Sequence, residues 1–193
     1  RQASDAMTDR LSIYNSALMI CGERTIASLT VNEEQRRLLD LVWNDNGVNH
    51  CLEAGQWKFA MRGTTLSYDT GVTPQWGFKR AFGKPTDWVN TSAVCQDEFF
   101  RSPLLMYSDE ASFWFADLDI IYVKYVSNAA NFGMNFAAWP SSFNNYVHQY
   151  FAGKIVMKIT NDKERQDKIN HPRTGSLATN LLEAKNRDAM AGP

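Results

Sequence analysis

The chain has 193 residues, 44% of them hydrophobic and 21% charged, with a formal net charge of −1. A chain of that length buries roughly two thirds of the surface its unfolded form exposes, and the charge balance excludes both a disordered chain and a strongly basic nucleic-acid binder. No apolar run approaches the ~20 residues that span a bilayer, and the polar start RQASDAMTDR lacks the apolar centre of a signal peptide, so a soluble, cytosolically made protein is expected.

Leu11, Tyr14, Ala17, Leu18 and Cys21 recur at three- and four-residue intervals and Gly22 follows as a stop, which predicts a first helix over about Asp5 to Cys21. A second start lies at Asn32-Glu33-Glu34, where a cap residue precedes acids that favour the positive end of the helix dipole. Asn44 to Gly47, NDNG, has turn character. The apolar stripe resumes in phase at Val48 and Leu52, however, so one helix is expected to run to about Ala54 with Leu38, Leu41, Val42, Val48 and Leu52 inward. From Trp57 the helical pattern stops. Thr, Tyr and Phe are frequent over 58–69, and turn formers crowd 71–74, 83–86 and 108–112, as in an antiparallel β meander. Its strongest strands are Pro103 to Tyr107, Phe113 to Phe115 and Ile120 to Val126, with Pro103 opening its strand or lying on an edge because it has no N–H to donate. Helical spacing returns at Trp139-Pro140-Ser141 and continues to about Thr160. NDKERQDKINHPRTG is then a loop or a broken helix, and a last helix carries Leu177, Leu181, Leu182 and Ala184 on its apolar side. The fold class is therefore α+β: a single domain, 1–193, with a bundle of about four helices over 5–57 and 139–190 and a small β insertion over 58–128.

Groups that could carry catalysis are sparse. His50, His148 and His171 belong to no H-x-x-x-H or H-E-x-x-H pattern, and there is no G-x-S-x-G elbow or phosphate loop, so no catalytic, cofactor or metal residue is assigned. Cys21, Cys51 and Cys95 are odd in number and widely spaced, which fits small buried apolar residues better than a disulfide framework or a zinc site. Glu110 and Asp119 have the eight-residue gap seen between the acid and the aspartate of phage-type lysozymes, but Tyr125 stands where that pattern has Thr. On the strand reading both acids lie in turns, where carboxylates end strands and keep edges soluble. Arg36-Arg37, Lys79-Arg80 and Lys163-Glu164-Arg165 are small clusters interleaved with acids, which predicts solvated faces and partner salt bridges rather than a DNA-binding surface.

The surplus is aromatic. Phe99, Phe100, Tyr107, Phe113, Trp114, Phe115, Tyr122 and Tyr125 fall in one short region, and the consecutive Phe113, Trp114 and Phe115 must point to both faces of any strand that holds them. Both faces then want cover, from the chain's own core or from another subunit. Phe113, Trp114, Phe115, Tyr122 and Tyr125 are the candidate subunit-interface residues, because aromatic side chains are favoured anchors of interfaces.

Five segments in order, LSIYNSALMICGERTIASLT, RRLLDLVWNDNGVNHCLEAGQWKFAMR, WGFKRAFGKPTDW, DEASFWFADLDIIYVKYVSN and WPSSFNNYVHQYFAGKIVMKIT, resemble the tail tubular protein A family of tailed phages, the head-to-tail adaptors. The likeness covers about Leu11 to Met190. It implies a structural virion protein without enzymatic activity or cofactor, whose copies form a dodecameric ring between the portal protein and the tail nozzle protein, tail tubular protein B. DNA would pass the channel without specific binding, and no membrane is involved. In the related adaptors a helical bundle carries a β insertion and the C-terminal segment reaches toward the portal. Here that segment is Leu177 to Pro193, with Lys185, Arg187 and Met190 as candidate portal contacts. One departure is HPRTG, His171 to Gly175, which interrupts a helix continuous in the relatives. A virion-associated polysaccharide or peptidoglycan hydrolase, or a glycan-binding module using Glu110 with Asp119 or Glu53, is the alternative.

Overall fold

The computed structural model describes residues 9–191, and within them the chain is mixed α and β in two compact units, 9–55 with 135–191 and 56–134. Six α-helices and two three-stranded antiparallel sheets are present among the described residues, against the expected four helices and one meander.

The helical unit is organised by α4 (Ser141–Thr160), which touches each of the other five helices. α1 (Arg10–Cys21) lays Ile13, Tyr14, Ala17, Leu18 and Cys21 inward, the stripe expected from spacing. It begins at Asp9, whose carboxylate accepts from the Ser12 amide at 2.7 Å while the Ser12 hydroxyl accepts from the Asp9 amide at 2.9 Å, a closed capping box. The part of the predicted first helix before Asp9 lies outside the described residues. Gly22 ends α1 in the left-handed conformation, φ 75°, and its amide closes on the carbonyls of Leu18 and Met19.

The single helix expected from Asn32 to Ala54 is instead two, α2 (Glu34–Asn44) and α3 (Gly47–Glu53). Asn46 takes φ 58°, a left-handed conformation that Asn tolerates better than most residues. A Cβ on Gly47 would lie 2.7 Å from the Val42 carbonyl oxygen and 3.0 Å from Phe151. The NDNG turn signal wins over the in-phase stripe because close approach to α4 at this point needs a glycine. The break also changes what α2 buries. Leu39 is its buried residue, whereas Leu41, expected inside, is 65% exposed. Leu182 of the last helix is likewise exposed rather than on the apolar side. The charged NDKERQDKINHPRTG segment resolves into α5 (Lys163–Asn170), started by Asp162 accepting from the Arg165 amide, and a turn closed by Thr174 on His171 Nδ1 before α6 (Ser176–Met190).

In the β unit, β1 (Met61–Ser67), β6 (Ile120–Ser127) and β3 (Trp88–Cys95) form one sheet with β6 in the centre, and β2 (Arg80–Gly83), β5 (Phe113–Ala116) and β4 (Ser108–Asp109) form the other with β5 in the centre. The strand orders β1-β6-β3 and β2-β5-β4 replace the expected meander. Pro103 to Tyr107, expected to be a strand, is a connector. Pro103 lies opposite Cys95 in one isolated bridge whose hydrogen bonds come from its neighbours, Leu104 N–H to Val94 and Gln96 N–H to Ser102, so its missing N–H costs nothing there, and pairing resumes only at Ser108. Phe82, Trp114 and Ala116 of the second sheet pack with Val94, Ile121, Val123 and Tyr125 of the first in a single cluster.

A polar network ties the ends of the first sheet. Asp87, in the turn before β3, accepts from Arg62 of β1 at 2.7 Å, from the Tyr125 hydroxyl at 3.1 Å and from the Ser127 hydroxyl, both of β6. Burial pushes the Asp87 carboxyl up, and the hydrogen bonds from Ser127, Arg62 and Tyr125 outweigh it, holding the group below the usual carboxylate range. A carboxyl depressed in the folded state stabilises fully above the unfolded value of about 4 and loses that contribution as pH falls through its folded value. Asp87→Asn is expected to lower stability at pH 7 by about 2–3 kcal/mol, and urea titrations at pH 7 and pH 3 should show the gap between wild type and variant narrowing in acid.

Candidate interaction site

β5 has two unlike faces. Trp114 and Ala116 point into the core between the sheets, while Phe113 and Phe115 alternate outward and stay half-exposed, their rings 6.0 Å apart. Over them runs the loop 72–78. Together they line a groove of about 520 Å³ with Trp76 and Phe78 on the wall and Ser108 and Glu110 at the β4 rim. Trp76 is 80% exposed. The loop turns there because Gly77 takes φ 83° and the Phe78 amide reaches back to the Trp76 carbonyl at 3.0 Å, a three-residue turn that a side chain at Gly77 would strain. Glu110 accepts from the Ser108 hydroxyl at 3.1 Å.

Beneath the groove a buried ammonium joins the two sheets. Lys84, just past β2, has a side chain only 5% exposed, and its Nζ lies 3.6 Å from the Trp88 ring centre and 5.3 Å from that of Trp114 while pairing with the Asp109 carboxylate of β4. The two indoles meet edge to face and both donate to Thr91 Oγ1, at 3.0 and 3.1 Å. Burial raises the Asp109 carboxyl, and its bonds to Lys84, Thr91 and Trp114 together with the Lys84 charge outweigh that and depress it.

The five candidate interface residues therefore divide. Trp114 and Tyr125 are fully buried within their own unit and present no surface to a sister chain, a correction to the expectation. Both indole and phenol spend their polar tips internally, and burial together with the Asp87 charge pushes the Tyr125 hydroxyl up to about 12. Phe113 and Phe115 reach the surface in the groove, and Tyr122 is half-buried on the far face of the other sheet, beside Thr65 and Cys95. The candidate portal contacts Lys185, Arg187 and Met190 are exposed on α6. Arg187 pairs with Glu183 at 2.8 Å, and Met190 is 83% exposed.

The carboxylates proposed for acid chemistry lie at opposite ends of β5. Glu110 adjoins Phe113, whereas Asp119 follows Ala116 and is held by Arg80 at 2.9 Å, so about 10 Å of strand separates their turns. Asp119 does not line the groove. Glu53 is an exposed residue of α3 paired with His50 at 3.7 Å. His148 sits on α4 beside a 340 Å³ pocket lined by Ser16, Met19 and Asn180, its Nε2 without a hydrogen-bond partner, and burial pushes its pKa down to about 4. All three cysteines are buried thiols outside any disulfide. No group of three or more His, Cys, Asp or Glu that could hold a metal occurs among the described residues, and no described helix is long and apolar enough to cross a membrane.

One arginine of each basic cluster is engaged within the chain. Arg36 pairs with Asp40, which also holds Arg10 and accepts from the Tyr14 hydroxyl at 2.8 Å. Arg80 lies 3.9 Å over the Tyr68 ring, and Arg165 donates to the Cys21 carbonyl. Sequence reasoning missed the groove because its wall is the turn-rich loop 72–78. The adjacent signals were Trp76 with Gly77 and the unbroken Phe113–Trp114–Phe115 run.

No protein-family model matches the chain, and no curated protein sequence is significantly similar to it.

Lys84→Ala empties the space between the two indoles and strands the Asp109 carboxylate, which at 32% exposure is partly hydrated, so the change should cost about 2 kcal/mol. The double change Lys84→Met with Asp109→Asn should cost clearly less, measured by urea unfolding. Equal losses in the two variants would show that the pair's charge is not what the packing compensates.

Proposed function

We propose that the protein is a structural, non-enzymatic virion component, a head-to-tail adaptor whose copies form a ring between a portal and a tail nozzle through which DNA passes without specific binding. The observation that carries this reading is the outer face of β5. A strand whose inner face is wholly buried leaves Phe113 and Phe115 half-covered beneath an 80% exposed Trp76, and apolar surface so arranged marks an interaction site. The resemblance of five ordered segments to the tail tubular protein A family supports it. So does the arrangement of a helical unit interrupted by a compact β unit, which is the build implied by that resemblance. Charge adds a further argument. With a net charge of −1, and with Arg36, Arg80 and Arg165 paired or hydrogen-bonded within their own units, the chain as a whole carries no excess of cations to hold DNA that must slide.

Lys185, Arg187 and Met190, exposed near the end of α6, are the surface offered to the portal in this reading. Mixing the purified chain with a portal ring and imaging the particles should show a second ring, expected to hold twelve copies, stacked on the first. Portal rings that stay bare at saturating protein would remove the adaptor reading.

The position of Glu110 on the rim of an aromatic groove is the one observation that favours a glycan hydrolase instead, since sugar rings stack on such walls. In the adaptor reading wild type releases no sugar from cell-wall or capsular polysaccharide, and Glu110→Gln with Asp119→Asn changes nothing. Release by wild type that the double variant abolishes would reverse the assignment.

A further inference from the structure

Among the described residues, each ion pair between segments distant in sequence has the same three parts: a cation, a carboxylate and an aromatic ring. Arg10 pairs with Asp40 and lies over Trp43, Arg62 pairs with Asp87 and lies over Phe132, Arg80 pairs with Asp119 and lies over Tyr68, and Lys84 pairs with Asp109 and lies over Trp88. The ring face replaces part of the cation's hydration, and the carboxylate balances its charge. The groove on the outer face of β5 has two of these parts. Its floor and wall carry the rings of Phe113, Phe115, Trp76 and Phe78, Glu110 stands on the rim, and no lysine or arginine lines it. The Glu110 carboxylate accepts from the Ser108 hydroxyl and enters no ion pair among the described residues.

We propose that this groove receives an arginine side chain of a partner protein, with the guanidinium on the groove's rings and paired with Glu110. The exposure of the internal examples selects arginine over lysine. The Lys84 ammonium is held where its side chain is only 5% exposed, whereas the pair with the most exposed carboxylate, Asp119 at 71%, uses a guanidinium 3.9 Å from the Tyr68 ring centre and 2.9 Å from that carboxylate. The groove matches the second case, because Glu110 and Trp76 are both exposed. An ammonium keeps its water at such a site. A guanidinium is weakly hydrated, lays its flat face on a ring and meets a carboxylate with its fork. Val72 and Pro74 also line the groove and suit the methylene stem. A groove walled by a surface loop covers one side of a side chain and leaves the other to the molecule that carries it, so the arginine belongs to a protein surface and not to a free ligand, which a binding site encloses. The inference rests on the reading of this face as an interaction surface and names what the face holds; the ring and the portal are not part of it.

The isotope-labelled full chain is titrated with Nα-acetylarginine amide and, in parallel, with its uncharged isostere Nα-acetylcitrulline amide, and followed by NMR at low salt. Arginine should move the signals of Glu110, Phe113, Phe115 and the Trp76 indole together, and citrulline should bind roughly fivefold more weakly. Glu110→Gln, with circular dichroism confirming its fold, should weaken arginine binding roughly fivefold as well. Citrulline that binds as tightly as arginine, or a Glu110→Gln variant that binds arginine as tightly as wild type, overturns the proposal and leaves an apolar groove. Arginine that moves none of these signals overturns it too, and a soluble cell-wall oligosaccharide that moves them instead assigns the groove to sugar. Equal binding of Nα-acetyllysine amide overturns the choice of arginine. Portal rings decorated by a wild type whose groove ignores arginine keep the adaptor reading and remove this site, whereas bare portal rings beside a groove that binds arginine do the reverse.

Discussion

The Lys84 ammonium, held between Trp88 and Trp114 and closed off by Asp109, determines the geometry of the β unit. A cation removed from water in this way is tolerated only where ring faces and a carboxylate replace its hydration. Those replacements come from both sheets, Trp88 and Thr91 from β3, Asp109 from β4 and Trp114 from β5. The contact therefore works as a registration device. Trp114 must face inward for its N–H to reach Thr91, and a strand alternates, so Phe113 and Phe115 are forced out. The exposed aromatic floor of the groove is the other side of the same constraint.

This coupling explains what could and could not be read from the chain beforehand. That Phe113, Trp114 and Phe115 occupy both faces of a strand follows from period two alone. Which face is core depends on Lys84, Thr91 and Asp109, which come from other segments and leave no local signature. The helices show the same division. α1 and α4 were legible because their stripes are continuous and their ends carry Gly22 and Pro140. The break at Asn46 was only half legible: the turn residues mark it and Gly47 must clear the nearby Val42 carbonyl, but the Phe151 ring that also presses on Gly47 lies more than a hundred positions away in sequence. The buried face of α2 was misassigned for the same reason, since a helix that ends at Asn44 need not keep the phase of the one that starts at Gly47. The connector at Pro103 pairs with β3 only through its neighbours, Leu104 donating to Val94 and Ser102 accepting from Gln96, and its next pairing is at Ser108.

Charge is distributed on a consistent principle in both units. Asp40 gathers Arg10, Arg36 and Tyr14, and Asp87 gathers Arg62, Tyr125 and Ser127. Each carboxylate ties together residues distant in sequence, so these two networks act as cross-links within their units. Burial pushes the Tyr14 hydroxyl up and keeps it protonated as a donor, which suits that role.

Apolar recognition in turn needs rigidity, because each side chain ordered on contact subtracts from what burial contributes. The β unit meets that need where its surface is apolar. Phe113 and Phe115 sit on a central strand paired on both sides, with Trp114 clamped beneath them, and the Gly77 turn sets the loop that carries Trp76. The floor of the groove is thus ordered before any partner arrives. The buried lysine and the two indoles thus fix, from beneath, the position of the two phenyl rings that the β unit presents at its surface.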